Sequence, residues 1–141
     1  MTSEISLSFV SVICKDMIGQ SSFYRDLFDL TEASELASDC FRALRLGGTI
    51  LGFHSDAAVA LLDLSEETQL GNVSSAFWTF EVASSDSVGR LTEQAVTLGA
   101  VLIKAPYDTY YGARQSVLRD PEGNVFRINR SGGAAGPEFS S

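Results

Sequence analysis

The stretch GARQSVLRDPEGNVFRI, residues 112–128, decides the fold of this chain. Residues 112–118 and 124–129 are predicted strands, and Asp120-Pro121-Glu122-Gly123 between them has the composition of a tight turn. A hairpin buries little surface by itself, so it has to close a larger sheet. The residues before it identify that sheet.

The segment before the hairpin contains a strand, a helix and a second strand. AFWTFEV, residues 76–82, is strand-like, and residues 85–98 are a predicted helix with Val88, Leu91 and Ala95 on one face. Gly99 is a C-terminal cap for that helix, and residues 100–104 form a short strand. This half of the chain therefore has the order strand, helix, strand, strand, strand.

The first half of the chain follows the same order. ISLSFVSVIC, residues 5–14, is a predicted strand, and Asp16 then caps a helix that ends near Asp29. Extended segments follow around residues 30–36, 41–46 and 49–54, and Gly47-Gly48 joins the last two. The two halves therefore predict one repeated βαβββ unit.

The register of this repeat can be checked on the sequence. Aligning Phe9 with Phe77 also places Phe23 on Leu91, and aligning Gly48 with Gly123 places Gly52 on Arg127. We predict an α+β fold in which tandem βαβββ repeats form a curved mixed sheet with helices on its convex side. Residues 1–131 form a single domain, with repeats at 5–55 and 76–130 and a connection at 56–75 that contains one short strand. Residues 132–141 are a predicted disordered tail.

Two motifs resemble those of the vicinal oxygen chelate superfamily, which includes glyoxalase I, bleomycin-resistance proteins and extradiol dioxygenases. FYRDLFDL, residues 23–30, is similar to the family's Phe-Tyr-x-x-x-Leu-Gly-Leu helix end, with Phe28 and Asp29 in place of Leu and Gly. Residues 112–128 resemble the closing hairpin of the family. The resemblance covers about residues 5–130 and is strongest to the metal-free, bleomycin-resistance-like branch.

The resemblance implies four metal-ligand positions, and none of them carries a ligand here. They fall on Phe9, Gly52, Phe77 and Arg127. Phe and Gly have no donor atom, and Arg is a fixed cation without an acceptor. We therefore expect no metal and no other cofactor. His54 and Glu81 lie nearby on the predicted strands and leave open a displaced metal site.

The face of the predicted sheet that carries these four positions offers a binding surface. Strand alternation places Trp78 and Phe80 towards the helix and their neighbours on the opposite face. Arg127 there either pairs with Glu81 or contacts a ligand, and the tyrosines before the hairpin form a predicted loop at the rim. The expected ligand-binding residues are Phe9, Ser11, Gly52, His54, Phe77, Thr79, Glu81, Tyr107, Tyr110, Tyr111 and Arg127.

Composition restricts the classes of partner. The 141 residues are 45% hydrophobic and carry a net charge of -8, which disfavours nucleic acid and anionic membranes and favours a cationic ligand. Cys14 and Cys40 lack metal-binding or framework spacing, and no apolar run could span a bilayer. The N-terminus lacks the features of a secretory signal, so we expect a cytoplasmic protein.

Three functions are compatible with these residues. The first is a metal-independent small-molecule binding protein that sequesters an antibiotic or a related aromatic ligand as a homodimer, with no catalytic residue. The second is a glyoxalase-like lyase, isomerase or dioxygenase with a metal at displaced ligands. The third is a metal-free enzyme with Glu81 or Tyr110 as acid or base. The scaffold alone does not choose among them.

Overall fold

The computed structural model describes residues 5–63 and 76–132. The chain divides into two compact units, Met1–Leu70 and Gly71–Ser141, which correspond to the two predicted repeats. The expected tail from residue 133 onwards and residues 64–75 of the expected connection lie outside the described residues.

The first repeat is a four-stranded mixed sheet with one long helix. Its elements are β1 (Phe9–Ile13), α1 (Met17–Phe28), β2 (Thr31–Glu32), a 3-10 turn (Ser34–Leu36), β3 (Phe41–Leu46), β4 (Thr49–His54) and the short α2 (Ala57–Leu61). The strand order is β1-β4-β3-β2, with β1 parallel to β4 and the other pairs antiparallel.

Local signals set both ends of α1. The Asp16 carboxylate accepts a hydrogen bond from the Gly19 amide at 3.0 Å, which satisfies one of the free N–H groups of the first turn. The helix ends at Asp29, where the sequence predicts, and Asp29 adopts the left-handed conformation at φ 52°. Between these ends, the Tyr24 ring stacks on Phe53 of β4 with centroids 5.8 Å apart, which fixes the helix to the sheet.

The second repeat has the same architecture. Its elements are β5 (Trp78–Glu81), α3 (Ser85–Thr97), β6 (Val101–Asp108), β7 (Arg114–Arg119) and β8 (Val125–Arg130). The strand order is β5-β8-β7-β6, with β5 parallel to β8 and the other pairs antiparallel. The prediction of tandem βαβββ units is confirmed, and their hydrogen bonding gives one four-stranded sheet per repeat.

Helix α3 packs on its sheet through an apolar stripe and one buried polar contact. Val88, Leu91 and Ala95 are buried, at the spacing the sequence predicts. Within this stripe the hydroxyls of Thr92 and Ser116 lie 2.7 Å apart, so a hydrogen bond joins α3 to β7. A buried hydroxyl needs such a partner because it is costly to bury alone.

The predicted hairpin turn is held by a buried carboxylate. Asp120 accepts hydrogen bonds from the amides of Glu122, at 3.0 Å, and Asn124, at 2.9 Å. Gly123 completes the turn at φ 92°, a backbone conformation that side chains rarely adopt. The turn aligns β7 with β8 and thereby sets which side chains of the two strands are neighbours.

Two sequence predictions of strand bounds need correction. Strand β6 runs through Asp108, so Tyr107 belongs to a strand and not to a loop. Within the connection, Ala57–Leu61 forms helix α2, because its alanines favour a helix, and the predicted short strand of the connection stays a prediction. Strand β1 begins at Phe9, later than predicted. No helix in the described part of the chain is long and apolar enough to cross a membrane.

Candidate functional site

Each sheet has one face against its helix and one opposite face, which we call the open face. Along β1 and β5 the side chains alternate: Val12 and Phe80 are buried, whereas Phe9, Ser11 and Thr79 are exposed. Trp78 is half-buried on the side of Phe80. The predicted alternation is thus observed in both repeats.

The open face of the first repeat carries an aromatic cluster of Phe9, Phe41 and His54. The Phe41 ring lies 6.5 Å from the Phe9 ring and 4.6 Å from the His54 ring, centroid to centroid. A Cβ atom at Gly52 would lie 2.8 Å from Cε1 of Phe41. The ring of Phe41 therefore takes the space that a side chain at Gly52 would need.

The histidine of the aromatic cluster favours its neutral form. Burial lowers the pKa of the His54 imidazole, because a partly enclosed ring is poorly solvated in its cationic form. The neutral imidazole tilts against Phe41 at an interplanar angle of 50°. This cluster offers a ligand apolar surface and no fixed charge.

The open face of the second repeat centres on Arg127. Its Nε donates to Oγ1 of Thr79 at 2.9 Å, and its Nη1 donates to Oε1 of Gln115 at 3.3 Å. The guanidinium carbon lies 5.1 Å from the centre of the Phe77 ring, within cation–π range. Strand β5 supplies Thr79 and strand β7 supplies Gln115, so the head group of Arg127 is held from both neighbouring strands.

Gln115 joins Arg127 to Tyr107 through hydrogen bonds. Its Nε2 donates to the Tyr107 hydroxyl at 2.5 Å, and Gln115 itself exposes only 4% of its surface. Lys104 places its Nζ 3.8 Å above the centre of the Tyr107 ring. We call Thr79, Arg127, Gln115 and Tyr107 the donor network.

Glu81 belongs to a separate group of contacts. Its carboxylate accepts from Nδ2 of Asn129 at 2.8 Å, from the Ser131 amide at 2.6 Å and from the Ser131 hydroxyl at 3.1 Å. The sequence left a Glu81–Arg127 ion pair as one alternative. This pair does not form, and neither residue is in any ion pair of the described ranges. Glu81 instead ties the end of β8 to β5.

The residues present do not fit a divalent cation. Phe9, Gly52, Phe77 and Arg127 supply no acceptor, and the Arg127 guanidinium would repel the ion. The described ranges hold no group of three His, Cys, Asp or Glu side chains placed to bind a metal. The displaced metal site would use Glu81, but the carboxylate of Glu81 already accepts hydrogen bonds from three protein donors.

The remaining predicted residues lie outside these contacts. The Tyr110 side chain is 98% exposed in the β6–β7 turn, and its ring meets that of Tyr111 edge-on at 5.0 Å. Sequence reasoning missed Phe41, Lys104, Gln115 and Asn129. Alternation along β3 and β7, taken together with strand order, was the signal that could have found Phe41 and Gln115.

A family profile and a solved structure both relate this chain to one superfamily. The sequence profile of the Glyoxalase/Bleomycin resistance protein/Dioxygenase superfamily matches residues 6–128. A solved glyoxalase/bleomycin resistance protein/dioxygenase family enzyme from Burkholderia phytofirmans PsJN is 37% identical, with a TM-score of 0.85, over 89% of this chain and 98% of that one. None of the curated proteins matches the chain.

More distant structures share the fold alone. A lactoylglutathione lyase from Agrobacterium tumefaciens is 17% identical, with a TM-score of 0.68, over 96% of this chain and 97% of that one. A fosfomycin resistance protein from Mesorhizobium loti is 15% identical, with a TM-score of 0.67, over 94% and 96%.

Proposed function

Within the glyoxalase/bleomycin resistance protein/dioxygenase superfamily, to which the chain belongs, we propose that it is a metal-independent small-molecule binding protein. We place its ligand on the open face of the second repeat, on Arg127, Thr79, Tyr107 and the exposed ring of Phe77. The observation that carries this proposal is the guanidinium of Arg127, held by Thr79 and Gln115 where the family resemblance implies a metal ligand.

A side chain held in this way is suited to binding. Arg127 loses little additional rotamer freedom when a ligand arrives, because Thr79 and Gln115 already restrict it. The Phe77 ring beside it supplies apolar contact area. Small-molecule sites commonly combine such an apolar surface with a few polar groups that orient the ligand.

The narrower proposal is sequestration of an antibiotic or a similar aromatic compound by a cytoplasmic homodimer. Binding without conversion needs no nucleophile and no metal, which agrees with the side chains at the four inherited positions. Cys14 and Cys40 are free thiols, which suits a reducing compartment.

A thermal-shift screen tests the proposal. Antibiotics and aromatic metabolites are added with and without divalent metal ions, and we expect at least one compound to stabilise the protein equally in both conditions. Ligand at a hundred times its Kd adds about 2.7 kcal/mol to the free energy of unfolding. The shift should disappear in Arg127→Ala and persist in Arg130→Ala, a matched arginine at the end of the same strand.

Elemental analysis addresses the metal-dependent alternative directly. We expect no stoichiometric Zn, Fe, Mn or Ni in untagged protein, because the inherited positions lack donor atoms. One bound transition metal per chain, together with stabilisation that requires it, would overturn the proposal. Turnover of a bound compound without metal would instead favour an enzyme that uses Glu81 or Tyr110.

A further inference from the structure

We propose that the ligand of the second repeat is an oxygen-acid anion, specifically a small organic carboxylate, held by hydrogen-bond donors of Arg127, Thr79 and Tyr107. This inference rests on the proposed function and names the ligand chemistry of that same face. It follows from the direction of each hydrogen bond in the donor network.

The guanidinium of Arg127 determines which atom donates in each of these hydrogen bonds. Arginine has only N–H donors, so the two atoms that Arg127 contacts, Oγ1 of Thr79 and Oε1 of Gln115, must both accept. This contact fixes the orientation of the Gln115 amide, with its carbonyl towards Arg127 and its NH2 group towards Tyr107. The Tyr107 oxygen therefore accepts from Gln115 at 2.5 Å.

As a result, the hydroxyl hydrogens at both ends of the network remain available. Within residues 5–63 and 76–132, neither Thr79 nor Tyr107 donates its hydroxyl hydrogen to a protein acceptor. The Nη groups of Arg127 also retain N–H bonds beyond the one directed at Gln115. What this part of the open face offers to a ligand is a set of donors.

Acceptors beside the network are already engaged by protein donors or are enclosed. Three protein donors hold the carboxylate of Glu81. Asn129 exposes 1% of its surface, and its Oδ1 is shielded from solvent, so a ligand donor cannot reach it in this arrangement. A ligand that supplies acceptors therefore matches this face better than one that supplies donors.

Among ligands that supply acceptors, the positive charges of Lys104 and Arg127 favour anions. Lys104 lies over the Tyr107 ring and Arg127 over the Phe77 ring, and neither cation has an ion-pair partner among the described residues. A guanidinium fork with free N–H bonds matches the two oxygens of a carboxylate. The net charge of -8 favours a cation at long range, but salt screens that field beyond about 8 Å.

Three flat probes of nearly the same shape test the inference. Benzoate is an anionic acceptor, benzamide is neutral with both kinds of group, and benzamidine is a cationic donor. Each is titrated into the full-length, 15N-labelled protein, and the side-chain amide of Gln115 and the backbone amides of β7 and β8 are followed by NMR. We expect benzoate to shift these signals with at least tenfold higher affinity than benzamidine.

The variant Gln115→Glu reverses the network. A carboxylate at this position accepts from both Arg127 and Tyr107, so Tyr107 no longer has a hydrogen to donate and a negative charge is added. We expect benzoate affinity to fall at least tenfold, and Tyr107→Phe to weaken it severalfold. Gln94→Glu on the exposed side of α3 adds the same charge away from the site and should leave benzoate affinity unchanged.

The outcomes separate this inference from the proposed function. If benzamidine shifts the same amides at equal or lower concentration than benzoate, the donor inference is overturned, while the open face stands as a binding surface. If none of the probes shifts these amides at millimolar concentration, the carboxylate inference is overturned as well. The thermal-shift screen with Arg127→Ala then decides the proposed function independently.

Discussion

Gly52 shows how a single residue can change what an open face presents. The absence of a side chain there lets Phe41 lie across the sheet towards Phe9 and His54. The position that the family resemblance associates with a metal ligand therefore supports an aromatic ring instead. The aromatic cluster depends on this glycine for steric reasons and not for backbone conformation.

We expect Gly52→Ala to destabilise the protein by about 1–3 kcal/mol, the usual cost of overpacking. The new Cβ would lie 2.8 Å from Cε1 and 3.0 Å from Cζ of Phe41. Chemical denaturation measures the loss. Gly48→Ala is the control, because a Cβ atom at Gly48 has no neighbour within 4 Å. If Gly52→Ala costs as much in a Phe41→Leu background, contact with the ring is not the cause.

His54 is the only histidine in the chain, so its NMR titration is unambiguous. Burial lowers its pKa, and we expect the titration midpoint below the usual value of about 6.5. Because the unfolded chain then binds the proton more readily, His54 contributes stability above the unfolded pKa, and this contribution is lost as pH falls through the folded pKa.

We therefore expect the wild-type protein to lose stability more steeply than His54→Gln as the pH falls. Thermal unfolding of both proteins between pH 7.5 and 5 provides the comparison, and the glutamine variant corrects for the titration of carboxylates. Removing the covering ring in Phe41→Ala should move the midpoint of His54 back up. An unchanged midpoint in that variant would mean that another group encloses the imidazole.

At the scale of elements, the β7–β8 hairpin places the donor network. Arg127 and Gln115 lie on adjacent strands, and the turn that joins these strands sets their register. Asp120 holds this turn with hydrogen bonds to Glu122 and Asn124. A change at Asp120 should therefore affect both stability and ligand binding.

We expect Asp120→Ala to lower the free energy of unfolding by about 1–3 kcal/mol, since it leaves the partly buried N–H groups of Glu122 and Asn124 without this acceptor. Asp120→Asn keeps an acceptor oxygen for the Glu122 and Asn124 amides and should cost less. Denaturant titrations of the two variants give the comparison. Equal losses would indicate that the charge of Asp120, and not its acceptor geometry, holds the turn.

At the scale of the whole molecule, the exposed edge of the second sheet bears on assembly. Strand β6 is an edge strand, and it exposes Val101 by 60%, Leu102 by 42% and Ile103 by 50%. Edge strands with exposed apolar side chains favour pairing with another chain. This edge supports the proposed homodimer.

Light scattering at micromolar concentration should therefore give twice the 15.1 kDa mass of one chain. We expect Ile103→Lys to shift the protein towards monomer, because it places a charge on the edge that we propose pairs with a second copy. Ile18→Lys, which replaces an exposed isoleucine on α1, should leave the dimer intact. A monomeric wild-type protein, or equal effects of the two lysines, would contradict this prediction.

Local sequence signals determined most of the elements. Both β3 and β4 have the predicted bounds, α1 begins at its Asp16 cap and ends at Asp29, and the hairpin turns at Asp120. These features depend on side chains acting on backbone within a few residues, so they are visible in sequence. Strand β6 was underestimated because Pro106 and the following tyrosines have the composition of a loop.

The candidate site was decided by tertiary structure. Sequence alternation placed Arg127 and Glu81 on the same face and left their pairing open, whereas the fold directs Arg127 to Thr79 and Gln115. Thr79 and Arg127 are separated by 48 residues in the chain and are joined by the parallel register of β5 and β8. Such contacts depend on which strands become neighbours and on how side chains share limited space, and neither is encoded within a few consecutive residues.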